Sequence, residues 1–548
     1  MERARVLTDL LPSLLHMLPV FLYAETHYRF RYFFSFLRKH EPEIIADAPH
    51  RIEPNQPLPI LVLVKDAHKF PLKLNKVNAV IKKGGKILIE KELLILPIEL
   101  SDKLLWKTYE VPLDGISGVI ECDVTFEIDN GRKRLLYKND NYRTSSHKPM
   151  KIFVAPSPLP RFDHLYFGEC HTHSSSTDDQ VEFGAPIDAS SQLSQSIGLS
   201  FFCTTDHSYD LDDSINNYLV NDSNLPKWNL LQQEVDDYNS KHQDFVIVRG
   251  EEVTCRNSNG RNIHLLLLGN RKFFHGSGDS AELWLKTHSE NSIQEILNSV
   301  EPSVLTFAAH PKERVSFLQR LLLSRGNWLQ QDFIHSKLTG IQFINGSITN
   351  GFWQGYNQWI DALLEGKKLF VLAGDDAHGN FNRFRQIGIP FLKIRETDHQ
   401  LFGKMRTGVY LESLSEKNIL QAIHAGRTIA TDGPVVNLFI GFPVHGISSI
   451  GETIAGNEHE VSLEVRSSTE YGSIDSIKVF MGSIGGKEIL ILSERLFQQY
   501  MTIRNFSLEI KKESYIRAEV WTSSFNSIDT QTHFCLTNPI WLSPTFLT

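Results

Sequence analysis

"HLYFGECHTH", residues 164–173, is an apolar run that closes on two histidines one residue apart. Its even apolar character suits a strand buried on both faces rather than one with a wet side. Residues two apart on an extended segment point the same way, so His171 and His173 can grip one ion together. Asp178 and Asp179 follow shortly after. Similar short apolar runs recur downstream as "LSFFCTT", "DFVIVRG", "IHLLLLG", "SVLTFAA", "TGIQFIN" and "KLFVLAG". Helical patterns lie between most of them, among them "WNLLQQEVDDYNSKH" and "FWQGYNQWIDALLEG". Strands alternating with helices predict a parallel sheet covered on both faces, and about seven strands suit a closed barrel more than an open sheet.

The flanks of this region have a different rhythm. Upstream, from 45 to 157, "VNAVIKKGGKILIEKELL" and "VIECDVTFEIDNGRKRLLY" alternate about Gly84-Gly85 and Asn130-Gly131, which are hairpin signals. "APSPLP", residues 155–160, reads as a linker. Downstream of "TDGP", residues 431–434, "HEVSLEVRSS", "SIDSIKVFMG", "KEILILSE" and "YIRAEVWTSS" alternate again and predict a small antiparallel sandwich. The chain of 548 residues therefore divides into an N-terminal helical segment (1–44), a β-sandwich-like unit (45–157), a barrel (160–430) and a second β-sandwich-like unit (431–548).

Composition narrows the function classes. The net charge is −8 and no basic stripe is present, so nucleic acid is not an expected partner. Cys122, Cys170, Cys203, Cys255 and Cys535 are odd in number and form no CxxC pair, which argues against a disulfide framework and for a reducing, cytoplasmic setting. "VLTDLLPSLLHMLPVFLYAET" near the N-terminus resembles a signal peptide, but Asp9, Pro12, His16 and Pro19 interrupt it. It is also too broken for a spanning helix, so a packed segment is expected and no transmembrane span.

The polar residues of interest stand where the central strands end. The first strand ends in His171-Thr172-His173, the second in Asp206-His207, the third in Glu251-Glu252, the fifth in His310 and the seventh in Asp375, Asp376 and His378. His264 begins its strand instead. If "TCRNSNGRN" forms a hairpin, that strand runs backwards and His264 still reaches the same rim. Residues at the carboxyl ends of barrel strands converge on one face, where such enzymes place their chemistry. Histidines mixed with carboxylates, without thiolates, suit Mn, Zn or Fe, and a set this large suits two or three ions.

The motif order HxH…D, TDH, GxE, H, HP and DAH resembles the PHP (polymerase and histidinol phosphatase) metallohydrolase superfamily over residues 160–430. The resemblance implies a distorted (β/α)7 barrel flanked by antiparallel β-sandwich-like domains, a site for two or three divalent metal ions, and hydrolysis, most often of phosphoesters. It places His171, His173, Asp178, His207, Glu252, His264, His310, Asp376 and His378 as metal ligands. "DDQVEFGAP" and "GRTIATDGPVV" resemble the carbaryl-hydrolase-like branch, which adds aryl carbamates and esters as substrates. Departures from the pattern are Glu169-Cys170, Asp179 and Ile263, none of which removes a ligand.

These residues predict a metal-dependent hydrolase acting on a small molecule, with water activated by the ions. Asp206 could orient His207 or move a proton. Arg383, Arg385 and Lys312 lie close in sequence to ligand motifs and are candidates for binding a phosphate. The competing expectation is a non-catalytic scaffold whose β modules bind a partner.

Overall fold

Strand Leu58–Lys65, "LPILVLVK", has no alternation because both of its faces are covered. Ile60, Val62 and Val64 enter the core of the N-terminal β unit, whereas Leu61 and Leu63 pack into the core of the region that follows. The computed structural model describes residues 41–142, 147–178, 183–279, 286–382, 400–441, 449–526 and 529–545. Residues 1–40 of the expected N-terminal helical segment lie outside these, and Glu43–Asp47 is a strand. The N-terminal unit is two antiparallel-dominated sheets, with Glu43–Asp47, Leu58–Lys65 and Leu104–Val111 in one and the paired Leu72–Lys83 and Gly118–Asp129 at the centre of the other.

Ten strands of the central unit position the site. They are β1 (Leu165–Thr172), β2 (Phe201–Thr204), β3 (Val246–Val248), β4 (Gly250–Arg256), β5 (Asn262–Leu268), β6 (Leu305–Ala309), β7 (Gly340–Asn345), β8 (Phe370–Gly374), β9 (Arg406–Tyr410) and β10 (Thr428–Thr431). Helix α1 (Ile187–Ile197) follows β1 and stops at Gly198, whose φ of 101° is the left-handed conformation that glycine adopts without strain. Helix α2 (Pro226–Lys241) precedes β3, and α3 (Asn350–Leu364) precedes β8, with the Thr349 side chain accepting from Phe352 N–H at its start. Ser415 caps α4 (Glu416–His424) in the same way.

The expected (β/α)7 barrel is not what these strands build. They fall into two sheets, one ordered β3-β2-β1-β9-β10 and the other β4-β5-β6-β7-β8. Only β1–β2, β2–β3, β6–β7 and β7–β8 pair in parallel. Pairs β4–β5, β5–β6, β1–β9 and β9–β10 are antiparallel. The physical reason lies in the connections. A parallel pair needs a long crossover, but Arg249 alone separates β3 from β4, and a short hairpin joins β4 to β5. Among the described residues, the two sheets meet at their site end through isolated bridges, Thr172 with Ala377 and His207 with Glu252. Strand also outweighs helix among the described residues.

Beyond β10 the central sheet runs on. β10 pairs with Asp529–Thr537, which pairs in turn with Ser514–Asn526 and, through it, Ser473–Ser483. A smaller sheet of Val435–Ile440, Glu458–Arg466 and Met501–Glu509 shares their apolar core. Arg51, buried to 3% exposure, joins the units: it grips both oxygens of Glu470 at 2.7 and 3.0 Å, Glu53 at 2.6 Å and the carbonyl of Ile197 at 2.8 Å.

Candidate metal centre

Backbone hydrogen bonds at the strand ends gather the site. Ala377 N–H donates to His171 O at 3.1 Å, and His173 N–H donates to Ala377 O at 2.8 Å. The Asp376-to-His378 segment is thereby laid beside the two histidines that end β1. Thr205 N–H donates to Thr172 O at 2.7 Å, and Glu252 N–H donates to Asp206 O at 3.0 Å, which bring in the ends of β2 and the start of β4. In the β4–β5 hairpin Thr254 lies opposite His264. Gln342, on β7, receives the His310 N–H at 3.0 Å and lies 3.4 Å from His171 Nδ1. His310 and Asp376 hold φ of 27° and 53°, strained values that their surroundings enforce, as is common in functional sites.

Glu252 is the focus. Its Oε2 lies 3.3 Å from His171 Nε2, 3.5 Å from His173 Nε2 and 2.9 Å from His207 Nδ1. Its Oε1 lies 2.5 Å from His264 Nδ1 and 3.2 Å from His310 Nε2. Asp376 Oδ1 lies 3.1 Å from His173 Nε2 and 3.4 Å from His171 Nε2. The His378 ring stacks on His173 with centroids 4.1 Å apart, and His207 lies 4.2 Å from His173.

Burial pushes the Glu252 carboxyl up, but His264, His171 and His207 outweigh it and hold the group well below the carboxylate range. Burial likewise opposes ionisation of Asp376, and His171 and His173 reverse the effect. His173 is driven well below the usual imidazole range by burial and by His378 and His207, and His264 falls to about 4 through burial and the Arg325 charge. His310 moves the other way, to about 10, because its bond to Glu252 and the Glu313 charge overcome burial. That proton is one a bound cation would displace.

The donor set fits divalent ions. His171 Nε2, His207 Nδ1 and Glu252 Oε2 are buried and meet no hydrogen-bond partner of good geometry, although they face one another across 2.9–3.3 Å. Polar atoms buried this way are costly unless something satisfies them. Three overlapping groups each bring their ligand atoms within 4.8 Å of one another: His173, His207 and His378; His171, His173, Glu252 and Asp376; and His207, Glu252 and His264. Imidazole with carboxylate is the chemistry of Zn, Mn and Fe sites.

Other expected residues stand elsewhere. Asp178 is away from these groups, bound to Lys227 at 2.5 Å and to Lys103 at 2.5 Å, while Lys65 donates to its backbone carbonyl at 2.7 Å. Asp206 Oδ1 accepts from Ser174 N–H at 2.7 Å and from the Thr177 hydroxyl at 3.1 Å, so it shapes the loop after His173. Glu251 turns away to Ser208, Asn270 and Phe274 N–H. Glu169 accepts from the backbone N–H of His171 at 3.0 Å and of Asp375 at 2.9 Å, tying the two ligand-bearing strand ends beneath the centre. Lys312 donates to Trp328 O at 2.7 Å and lies over the Phe333 ring. Arg383, Arg385 and Asp179 lie outside the described residues.

A cleft of about 400 Å³ opens over the cluster, lined by His207, His264, His310, Asp376 and His378 together with Tyr209, Arg314, Arg325, Asp279 and Gln400. Asp279 and Arg325 carry no signal legible in sequence. Neither sits at a strand end nor in a spaced motif.

No protein-family model matches the chain, and no curated protein matches it. Among solved structures it is similar to a β-glucuronidase of Bacteroides uniformis, at 9% identity and TM-score 0.17, covering 92% of this chain and 61% of that one. A glycosyl hydrolase family 2 member from Bacteroides cellulosilyticus gives 10% identity and TM-score 0.17, with 92% and 63% covered. The chain thus spans less than two thirds of the length of either. The PHP resemblance, its carbaryl-hydrolase-like branch and the phosphoester and aryl carbamate substrates drawn from them are corrected here. The strands do not close into the barrel that resemblance implied, and no family model supports it. No helix among the described residues is long and apolar enough to cross a membrane.

Proposed function

We propose that this chain is a hydrolase whose chemistry is centred on two or three divalent ions held by His171, His173, His207, Glu252, His264, His310, Asp376 and His378, within residues 160–430 and between β units at 45–157 and 431–548. One observation carries the reading: five buried imidazoles converge on the two oxygens of Glu252. A single carboxylate cannot satisfy so many imidazoles, whereas cations between them would satisfy every group. Such ions, when bound, supply a water acidified to near-neutral pKa and a Lewis acid for the attacked group.

The chain's own residues do the rest. Glu252 offers one oxygen to the His171 and His207 side and the other to His264 and His310, which suits a bridging role. Asp376 serves His171 and His173 and opens onto the cleft. Arg314, Arg325, Tyr209 and Gln400 line the space where a small substrate would lie.

The test is elemental analysis of purified full-length protein, with turnover measured before and after chelation against a panel of esters, amides and glycosides. Stoichiometric Mn, Zn or Fe is expected, with activity lost to chelator and regained on reloading. Glu252→Gln should lose both metal and turnover. Chelator-resistant cleavage of a glucuronide or galactoside by metal-free protein would overturn the reading.

A further inference from the structure

We propose that Asp279 is a positioning residue that fixes the tautomer of His264, so that Nδ1 presents its lone pair to the metal cluster. The inference rests on the metal reading above and adds a residue outside the ligand set. His264 lies between two carboxylates, one at each ring nitrogen: Glu252 Oε1 is 2.5 Å from Nδ1, and Asp279 Oδ2 is 2.9 Å from Nε2. Both carboxylates are buried, with the Asp279 side chain only 2% exposed.

A neutral imidazole has one N–H and one lone pair. The nitrogen that faces Glu252 must be the one that binds, so the proton belongs on Nε2, where Asp279 is the acceptor. Trp328 Nε1–H donates to the backbone carbonyl of His264 at 3.1 Å and so fixes the main chain that carries the ring. Arg325 completes the arrangement. Its guanidinium contacts Asp279, with Nη1 at 2.6 Å from His264 Nε2 and Nη2 at 3.3 Å from Nδ1. A guanidinium only donates, so Arg325 can donate to Nε2 only while that nitrogen is bare and Nδ1–H points to Glu252, and Nη2 then lies beside Nδ1 without a hydrogen bond. Loading the centre moves the proton from Nδ1 to Nε2, and Asp279 then replaces Arg325 as the partner of Nε2. Arg325 remains to balance the Asp279 charge. A carboxylate behind a ligating histidine raises its basicity and fixes its orientation, and loss of such a partner typically costs about 10–100-fold in metal affinity.

The experiment is a cobalt(II) titration of the full-length, metal-stripped protein, read by visible absorption and by binding affinity. Asp279→Asn should bind cobalt about 10–100-fold more weakly, with altered absorption bands, beyond the lower metal-free melt expected from losing the buried pair with Arg325. Asp279→Glu should recover part of the affinity. Wild-type protein that takes up no cobalt would overturn the metal reading and this inference together. Wild-type uptake with an unchanged Asp279→Asn affinity and spectrum would overturn this inference alone. Should the Asn variant fold poorly, imidazole nitrogen-15 shifts of zinc-loaded wild type give the same answer. Nδ1 bound and Nε2 protonated at His264 is the expected result, and the reverse would refute it.

Discussion

Asp178 is held by lysines and not by histidines. Burial favours its neutral form, but Lys227, Lys65 and Lys103 overcome this and keep the carboxyl at about 2. An unfolded aspartate titrates near 3.9. The stabilisation is therefore complete above about pH 4 and is lost as pH falls through about 2. Asp178→Asn is expected to cost about 2 kcal/mol at pH 7, with the difference from wild type shrinking toward zero near pH 2, as measured by denaturant unfolding. Its metal content should match wild type. His171→Ala should behave in the opposite sense, losing metal and turnover while sparing the fold. The contrast shows what spacing could and could not say. His171 and His173 share a strand, so their geometry is local. Asp178 follows in a loop, and its partners come from Lys65, Lys103 and Lys227, which lie far away in the chain.

At the scale of the element, the close approach of strands decides what a residue may be. Gly340 opens β7, and a Cβ there would lie 2.1 Å from Phe370 O and 2.4 Å from the Phe307 ring, both on neighbouring strands. Gly340→Ala is expected to destabilise the protein by ~1–3 kcal/mol, read as a lower denaturant midpoint with unchanged slope. The strands themselves were legible because each apolar run stops at a polar residue. Every one of His171, Glu252, His264, His310 and Asp376 is carried at or beside a strand. Their direction was less legible. The one-residue step at Arg249 looks in sequence like any other strand end, yet it moves the chain from one sheet to the other. Asp279 and Arg325 were invisible for a related reason: tertiary packing, and no local period, brings them to His264.

At the scale of the molecule, Asn538 ties the C-terminal region to the central strands. Its side-chain oxygen accepts from Val371 N–H at 2.8 Å, and its nitrogen donates to Val371 O at 3.2 Å and to the Thr428 hydroxyl at 2.5 Å. All of these groups are buried, so Asn538→Ala should cost ~1–3 kcal/mol, the penalty for stranding a buried polar group. The metal-loaded protein should unfold in one calorimetric transition, since β10 and Asp529–Thr537 share one ladder. Arg51 makes the same point at the opposite side. One guanidinium spans a strand of the first unit, the end of α1 and Glu470 in the last unit, and so ties the three together. Among the described residues, the proline-rich stretch at 155–160 is bracketed by this cation, and limited proteolysis there is expected to be faster in Arg51→Ala than in wild type.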